Sequence, residues 1–160
     1  MRSLLFVTCL MFPVHALADW APKPVDEAEL WDCVTQAGSS WHAGASCIGR
    51  FADACVEESG AYDSITVAQC HDAEMKGWDA VLNSAYQSLQ ADLSEPDMLP
   101  VAAEALTDAQ RAWINFRDAE CLSRGNLTTG TGHLEDGADC FLRVTATRAL
   151  DLIGYGAHHE

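Results

Sequence analysis

Residues 106 to 121 read LTDAQRAWINFRDAEC, and this stretch decides how the rest of the chain is organised. Leu106, Ala109, Gln110, Trp113, Phe116 and Arg117 recur at steps of three and four, the spacing that places side chains on one face of an α-helix. The pattern predicts an inward stripe that carries both a large aromatic ring and a guanidinium. An uncompensated charge on such a face costs several kcal/mol, so Arg117 requires a partner from another segment. Cys121 ends the stripe and implies a covalent tie elsewhere.

The partner is sought upstream. Trp78 to Tyr86 reads WDAVLNSAY, in which Asp79, Asn83 and Tyr86 stand at i, i+4 and i+7 and form a polar seam beside Leu82. We expect that seam to receive Arg117. The two patterns, D-x-x-L-N-x-x-Y and Q-R-A-W-I-x-F-R-D-x-x-C, resemble the LprI-type lysozyme inhibitor domain family over roughly Cys55 to Ile153. The resemblance implies a small, exported, helical bacterial domain bearing disulfides. It also implies that Asp79, Leu82, Asn83, Tyr86, Gln110, Trp113 and Arg117 belong to the family motif, for which we expect a structural role.

Composition and charge bound the alternatives. The chain has 160 residues, 49% of them apolar and 21% charged, which suits one soluble domain with a real core. Its first residues read as a signal peptide over 1–18: Arg2 supplies a positive start, Leu4 to Val14 an apolar run, and Ala16-Leu17-Ala18 a small-residue cleavage site. Residues 19–25 read as an extended arm without structure of its own, 26–154 as the helical domain, and 155–160 as a flexible tail. No later run approaches the about 20 apolar residues of a membrane span. The expected location is the periplasm or outside the cell. The formal net charge is −15, and loss of Arg2 makes it one unit more negative. Such a surface repels phosphate backbones, which argues against nucleic acid, and favours cationic partners through faster encounter. Lysozymes are commonly basic, so lysozyme or another cationic protein is the partner class that resemblance and charge share.

Cys9 falls within the segment read as a signal peptide, and the six remaining cysteines, in an exported chain, read as three disulfides. Six cysteines allow 15 pairings, and sequence alone does not choose among them. Cys47 with Cys55 is unattractive, because eight helical residues separate their α-carbons by roughly 12 Å. The expected scheme is Cys33 with Cys47, Cys55 with Cys70, and Cys121 with Cys140. Each bridge closes a short loop, for which chain entropy gives about 3 kcal/mol.

Periodicity and caps then predict an all-α, disulfide-stapled bundle of about five helices. The first starts at Asp26-Glu27-Ala28-Glu29 and stops at Gly38. The second spans Ala45–Glu58, with Trp41 before it as a possible core plug. The third spans Val67–Leu93, capped by Ser64 or Thr66, with Cys70, Trp78, Leu82, Ala85, Leu89 and Leu93 inward. The fourth spans Val101–Ser123. The fifth spans Asp139–Ile153, with Phe141, Val144, Arg148 and Leu152 on one side. Between the last two, Gly125 to Gly137 reads as the one long irregular stretch. Within it Thr128, Thr129, Gly130, Thr131 and Gly132 form the candidate partner-binding loop, because exposed, anchored loops are where recognition is usually displayed.

No catalytic site is expected. Six paired cysteines leave no nucleophilic thiol, and His71 reads as a surface helix residue. Glu57, Glu58, Glu74 and Glu120 lie on helices, but their spacing singles out no pair for cutting a sugar chain. No cofactor is called for. A zinc site lacks its C-x-x-C spacing, Gly130-Thr131-Gly132 lacks the Lys of a phosphate loop, and His158, His159 and Glu160 form only a terminal tail. The leading reading is a binding protein that inhibits lysozyme by occlusion. The alternative is a helical lipid or small-molecule binding or structural envelope protein of the saposin kind.

Overall fold

The computed structural model describes residues 20–38 and 41–156; the segment read as a signal peptide and the terminal histidines lie outside them, as does the side chain of Trp41. Among the described residues there is no strand. The elements are α1 (Glu27–Ala37), the single turn α2 (Trp41–Gly44), a 3₁₀ turn (Ala45–Cys47), α3 (Arg50–Ser59), α4 (Ser64–Asp92), α5 (Ala102–Gly125) and α6 (Gly132–Gly156).

The core is the seam between α4 and α6, onto which the other helices are laid: α1 and α3 against α4, α5 against α6. Its largest members are Trp78, Val81 and Leu82 of α4, Leu142 and Leu152 of α6, and Leu30 of α1, all fully or almost fully buried. The inward set expected for α4 is buried except Leu93, which is half-covered as the C-cap residue at the helix end. On α6 the stripe is rotated from the expected one. Leu142, Thr145, Ala146, Ala149 and Leu150 are buried, while Phe141, Val144 and Arg148 are half-covered.

Three local corrections have physical causes. The second predicted helix is broken: Gly49 adopts φ +87°, a left-handed conformation that glycine tolerates, and α3 begins only after it. The cap of α4 is Asp63, whose carboxylate accepts from the backbone N–H of Ile65 and Thr66 at 3.1 Å each and from the Thr66 hydroxyl at 2.8 Å. The Thr66 hydroxyl is the main reason this carboxyl titrates below its usual range. Its contribution to stability is therefore present above the ordinary carboxylate pKa and fades as pH falls through the lowered one. Finally, α6 starts seven residues before the predicted Asp139 and α5 runs on to Gly125, so the long irregular stretch shrinks to residues 126–131. Two glycines make this possible. A Cβ on Gly125 would stand 3.6 Å from the α-carbon of Gly137 and 3.1 Å from the carbonyl oxygen of His133, so backbone packs on backbone where α5 turns into α6.

The arm is extended, but it does not lie free of the core. Val25 reaches α4 at Gly77, Lys23 pairs with Glu58 at 3.1 Å, and Trp20 to Val25 fold over Phe51 and the Cys55–Cys70 bridge. The disulfides are Cys33–Cys47, Cys55–Cys70 and Cys121–Cys140, with α-carbons 6.1, 5.7 and 5.3 Å apart. They join α1 to the 3₁₀ turn, α3 to α4, and α5 to α6.

Candidate functional site

Arg117 is the residue the sequence singled out, and its side chain is 18% exposed. Its guanidinium carbon lies 5.1 Å from the centre of the Trp113 ring and 5.8 Å from that of Phe141, a cation held between two aromatic faces. Two carboxylates complete the setting. Asp118, the next residue along, accepts from Nε at 2.9 Å, and Asp79 of α4 stands 3.9 Å from Nη1. The polar seam is thus divided. Asp79 reaches Arg117, Asn83 donates to Asp79 at 3.1 Å, and the Tyr86 hydroxyl pairs instead with Thr107 at 3.2 Å. Leu82 is buried, and Gln110 accepts from Arg148 Nε at 3.0 Å. The motif residues tie α5 to α4 and α6 by polar contacts along its length.

The expected inward stripe of α5 is narrower than its sequence suggests. Leu106, Gln110 and Cys121 are buried, and Trp113 and Arg117 are half-covered. Ala109 is exposed and Phe116 is 56% exposed. The reason is that α5 lies mainly on α6 and meets α4 through side-chain ties, so only one flank of it is covered.

The candidate loop is closed down rather than open. Gly130 takes φ +68° at its tip, and the hydroxyl of Thr128 donates to the Asp136 carboxylate on the first turns of α6. The ring of His133 bonds the Gly130 carbonyl, and the Thr128 methyl fills the space a side chain at Gly132 would need. Thr129 and Thr131 are exposed, while Gly132 already belongs to α6. The Cys121–Cys140 bridge lies at the base of this hairpin.

Two surfaces meet at the start of α6, and sequence reading found neither. On one side is an apolar cleft of about 310 Å³ lined by Met75 of α4, Cys121 and Leu122 of α5, and Leu134, Ala138 and Phe141 of α6. On the other is an acidic groove of about 540 Å³ between α3 and α6, where Asp53, Glu57, Glu135, Asp136 and Asp139 face Arg143, His71 and Tyr62. Five carboxylates thus meet one guanidinium, which is itself paired with Asp139 at 2.7 Å. A helical-wheel count of acids on α3 and on the early turns of α6 could have suggested the groove, had α6 been started at the right residue. His71 is half-buried there rather than a surface residue, and its Nδ1 is buried without a hydrogen-bond partner.

The four glutamates considered for sugar chemistry are dispersed. Glu58 pairs with Lys23, Glu120 with Arg124 at 2.8 Å, and Glu57 lines the groove. Glu74 is fully buried, and its role was not legible. One oxygen accepts from Gly49 N–H at 2.8 Å and Trp78 Nε1–H at 2.9 Å, the other from Ala52 N–H at 2.7 Å. A single carboxylate from α4 takes the two backbone donors that a capping box at the start of α3 would have satisfied. This is a folding contact. Among the described residues no group of three His, Cys, Asp or Glu side chains is arranged to hold a metal, and no helix is long and apolar enough to cross a membrane.

Comparison with known proteins places this arrangement. The family model for lysozyme inhibitor LprI matches residues 55–152, which covers α4, α5, nearly all of α6 and both surfaces apart from Asp53. An uncharacterized protein of Rhizobium meliloti (strain 1021) is 33% identical over 93 residues, 52% of this chain; the match spans 66% of that relative, just under two thirds of its length. No solved structure matches. With a family match over more than half of its length, carried by the helices that hold Arg117 and the Cys121–Cys140 bridge, the chain belongs to the LprI lysozyme inhibitor family.

Proposed function

We propose that this protein is an exported inhibitor of lysozyme, which binds the enzyme and blocks its cleft without performing any reaction. The observation that carries the reading is the family match over residues 55–152. Charge adds to it. A formal charge of −15, with five carboxylates gathered in one groove, attracts a basic enzyme and orients its approach. Three short-range disulfides hold the scaffold in one shape, which lowers the ordering cost of association. They also suit an oxidising compartment, in keeping with cleavage of a signal peptide near Ala18. The contact surface in this reading is the acidic groove together with its rim, the loop from Thr128 to Gly132.

The test is a lysis assay with a basic lysozyme and the oxidised chain from Asp19, at low and high salt. Stoichiometric inhibition is expected, weaker but still saturable at high salt. Neutralising the groove with Asp53→Asn, Glu57→Gln and Glu135→Gln should reduce inhibition and flatten its salt dependence. No inhibition by the unsubstituted chain, or inhibition that salt abolishes completely, would refute the proposal.

A further inference from the structure

We infer that the apolar cleft between α4, the end of α5 and the start of α6 receives one apolar side chain of a basic protein partner, with a Lys or Arg on each side of it. The inference rests on the inhibitor reading and sharpens it, because it names the chemistry of the partner's contact.

Folding leaves this end of the molecule with apolar surface it has not used. Leu122 is 66% exposed, Leu134 41%, and Leu127 on the adjoining loop 82%. The backbone of Gly125 and Gly137 borders the cleft, and Met75 and Phe141 supply adaptable and flat apolar walls. At about 310 Å³ it stands at the low end of the range of about 300–1,000 Å³ for small-molecule pockets, room for one large side chain.

Charge selects the occupant. Asp72 lines the cleft, paired with Lys76 at 2.7 Å. On the far side of the same α6 turns stand Glu135, Asp136 and Asp139; Asp136 accepts from Thr128, and Asp139 holds Arg143. His133 is the one basic ring lining the cleft. An apolar knob flanked by cations finds acids to either side of its seat, whereas a fatty acid would bring its carboxylate toward the same acids. A buried anchor inside a polar, charged rim is the usual anatomy of a specific contact.

The test substitutes Leu122→Gln and Leu134→Gln together. Both side chains are exposed, and glutamine preserves charge and helix propensity, so folding is retained and is checked by circular dichroism and disulfide mapping. Calorimetric titration with a basic lysozyme should show affinity falling about tenfold or more with an unchanged salt slope. Glu135→Gln with Asp139→Asn should instead change the slope. Unaltered affinity in the leucine variant overturns the inference and leaves the inhibitor reading standing. If the unsubstituted chain binds no lysozyme, the inhibitor reading falls, and the cleft is judged by NMR with acetyl-Lys-Trp-Lys-amide, acetyl-Glu-Trp-Glu-amide and decanoate. Shifts at Met75, Leu134 and Phe141 with the cationic peptide alone uphold it. No shifts there, or a stronger response to decanoate, overturn it.

Discussion

Helices α4 and α5 each carry a tryptophan four residues from a charged group, as α1 also does with Glu27 and Trp31, and the fold treats the α4 and α5 pairs in opposite ways. On α4, Glu74 and Trp78 are both fully buried and bonded to each other at 2.9 Å. On α5, Trp113 and Arg117 stack at 5.1 Å but remain half-covered. The difference lies in what surrounds each helix. Helix α4 is packed by α1, α3 and α6, whereas α5 rests on α6 and meets α4 only through side-chain ties such as Gln90 to Thr107. A buried carboxylate must be fully satisfied, and Glu74 is satisfied by three donors; a guanidinium at an edge can share its charge with water and two acids. Identical spacing therefore yields a core element in one helix and a clasp in the other.

The sharpest way to break this comparison is Glu74→Leu. It strands the N–H groups of Gly49 and Ala52 and the indole N–H of Trp78 in a dry site, for an expected loss of about 3–5 kcal/mol in denaturant unfolding with the disulfides intact. Glu74→Gln keeps one carbonyl acceptor and should lose about half as much. A leucine variant within about 1 kcal/mol of the parent would mean that α3 does not need its start fixed by α4.

Next in size is Gly77→Ala on the same helix. The added Cβ would stand 2.8 Å from Leu30 Cδ1 and 2.9 Å from the Val25 carbonyl oxygen, and the second contact is backbone that a rotamer change cannot relieve. Overpacking of this kind costs about 1–3 kcal/mol, which offsets or exceeds the about 1 kcal/mol that alanine gains over glycine in an exposed helix. The melt should also report release of the arm: faster proteolysis near Lys23 is expected, and unchanged proteolysis would show that the arm is held elsewhere.

On α5 the corresponding test is smaller. Arg117→Met should cost about 1 kcal/mol, since its partners are themselves solvent-facing. The double-mutant cycle with Asp79→Leu should give a coupling below about 1 kcal/mol, because Asp118 is the nearer acid at 2.9 Å against 3.9 Å. A larger coupling would make the clasp a core interaction and erase the contrast with α4.

That contrast also explains what the sequence could reveal. The helical class and the short-range cysteine staples rest on local signals, a repeat of three and four residues and pairs 14 to 19 apart along the chain. Glu74 was hidden because many acids lie on these helices. A signal did exist, since Cys70, Glu74, Gly77, Trp78 and Val81 share one helical face and the chain after Cys47 offers α3 no side-chain cap of its own. The early start of α6 was not legible, because glycines at 132 and 137 read as loop until Thr128 is brought against the first and the backbone of Gly125 against the second. The candidate loop was located, but its closure by Asp136 depends on that same shift. The cleft and the groove are tertiary products of helices separated by tens of residues, so no local pattern announced them.

The smallest effect is expected at Phe116, and there the absence of a response carries the information. Its place in the repeat assigned it to the core beside Trp113, yet it is 56% exposed and lies outside the buried and half-buried core set to which Trp113 belongs. Phe116→Ser should leave stability within about 0.5 kcal/mol of the parent, as exposed substitutions do. Trp113→Ser removes a half-buried ring and one face of the Arg117 stack and should cost about 1–2 kcal/mol, below the range for fully buried aromatics. Equal losses at the two positions would show that α5 is gripped on both flanks, in which case a second helix or a partner copy must cover the side of α5 that carries Ala109, Ala112 and Phe116.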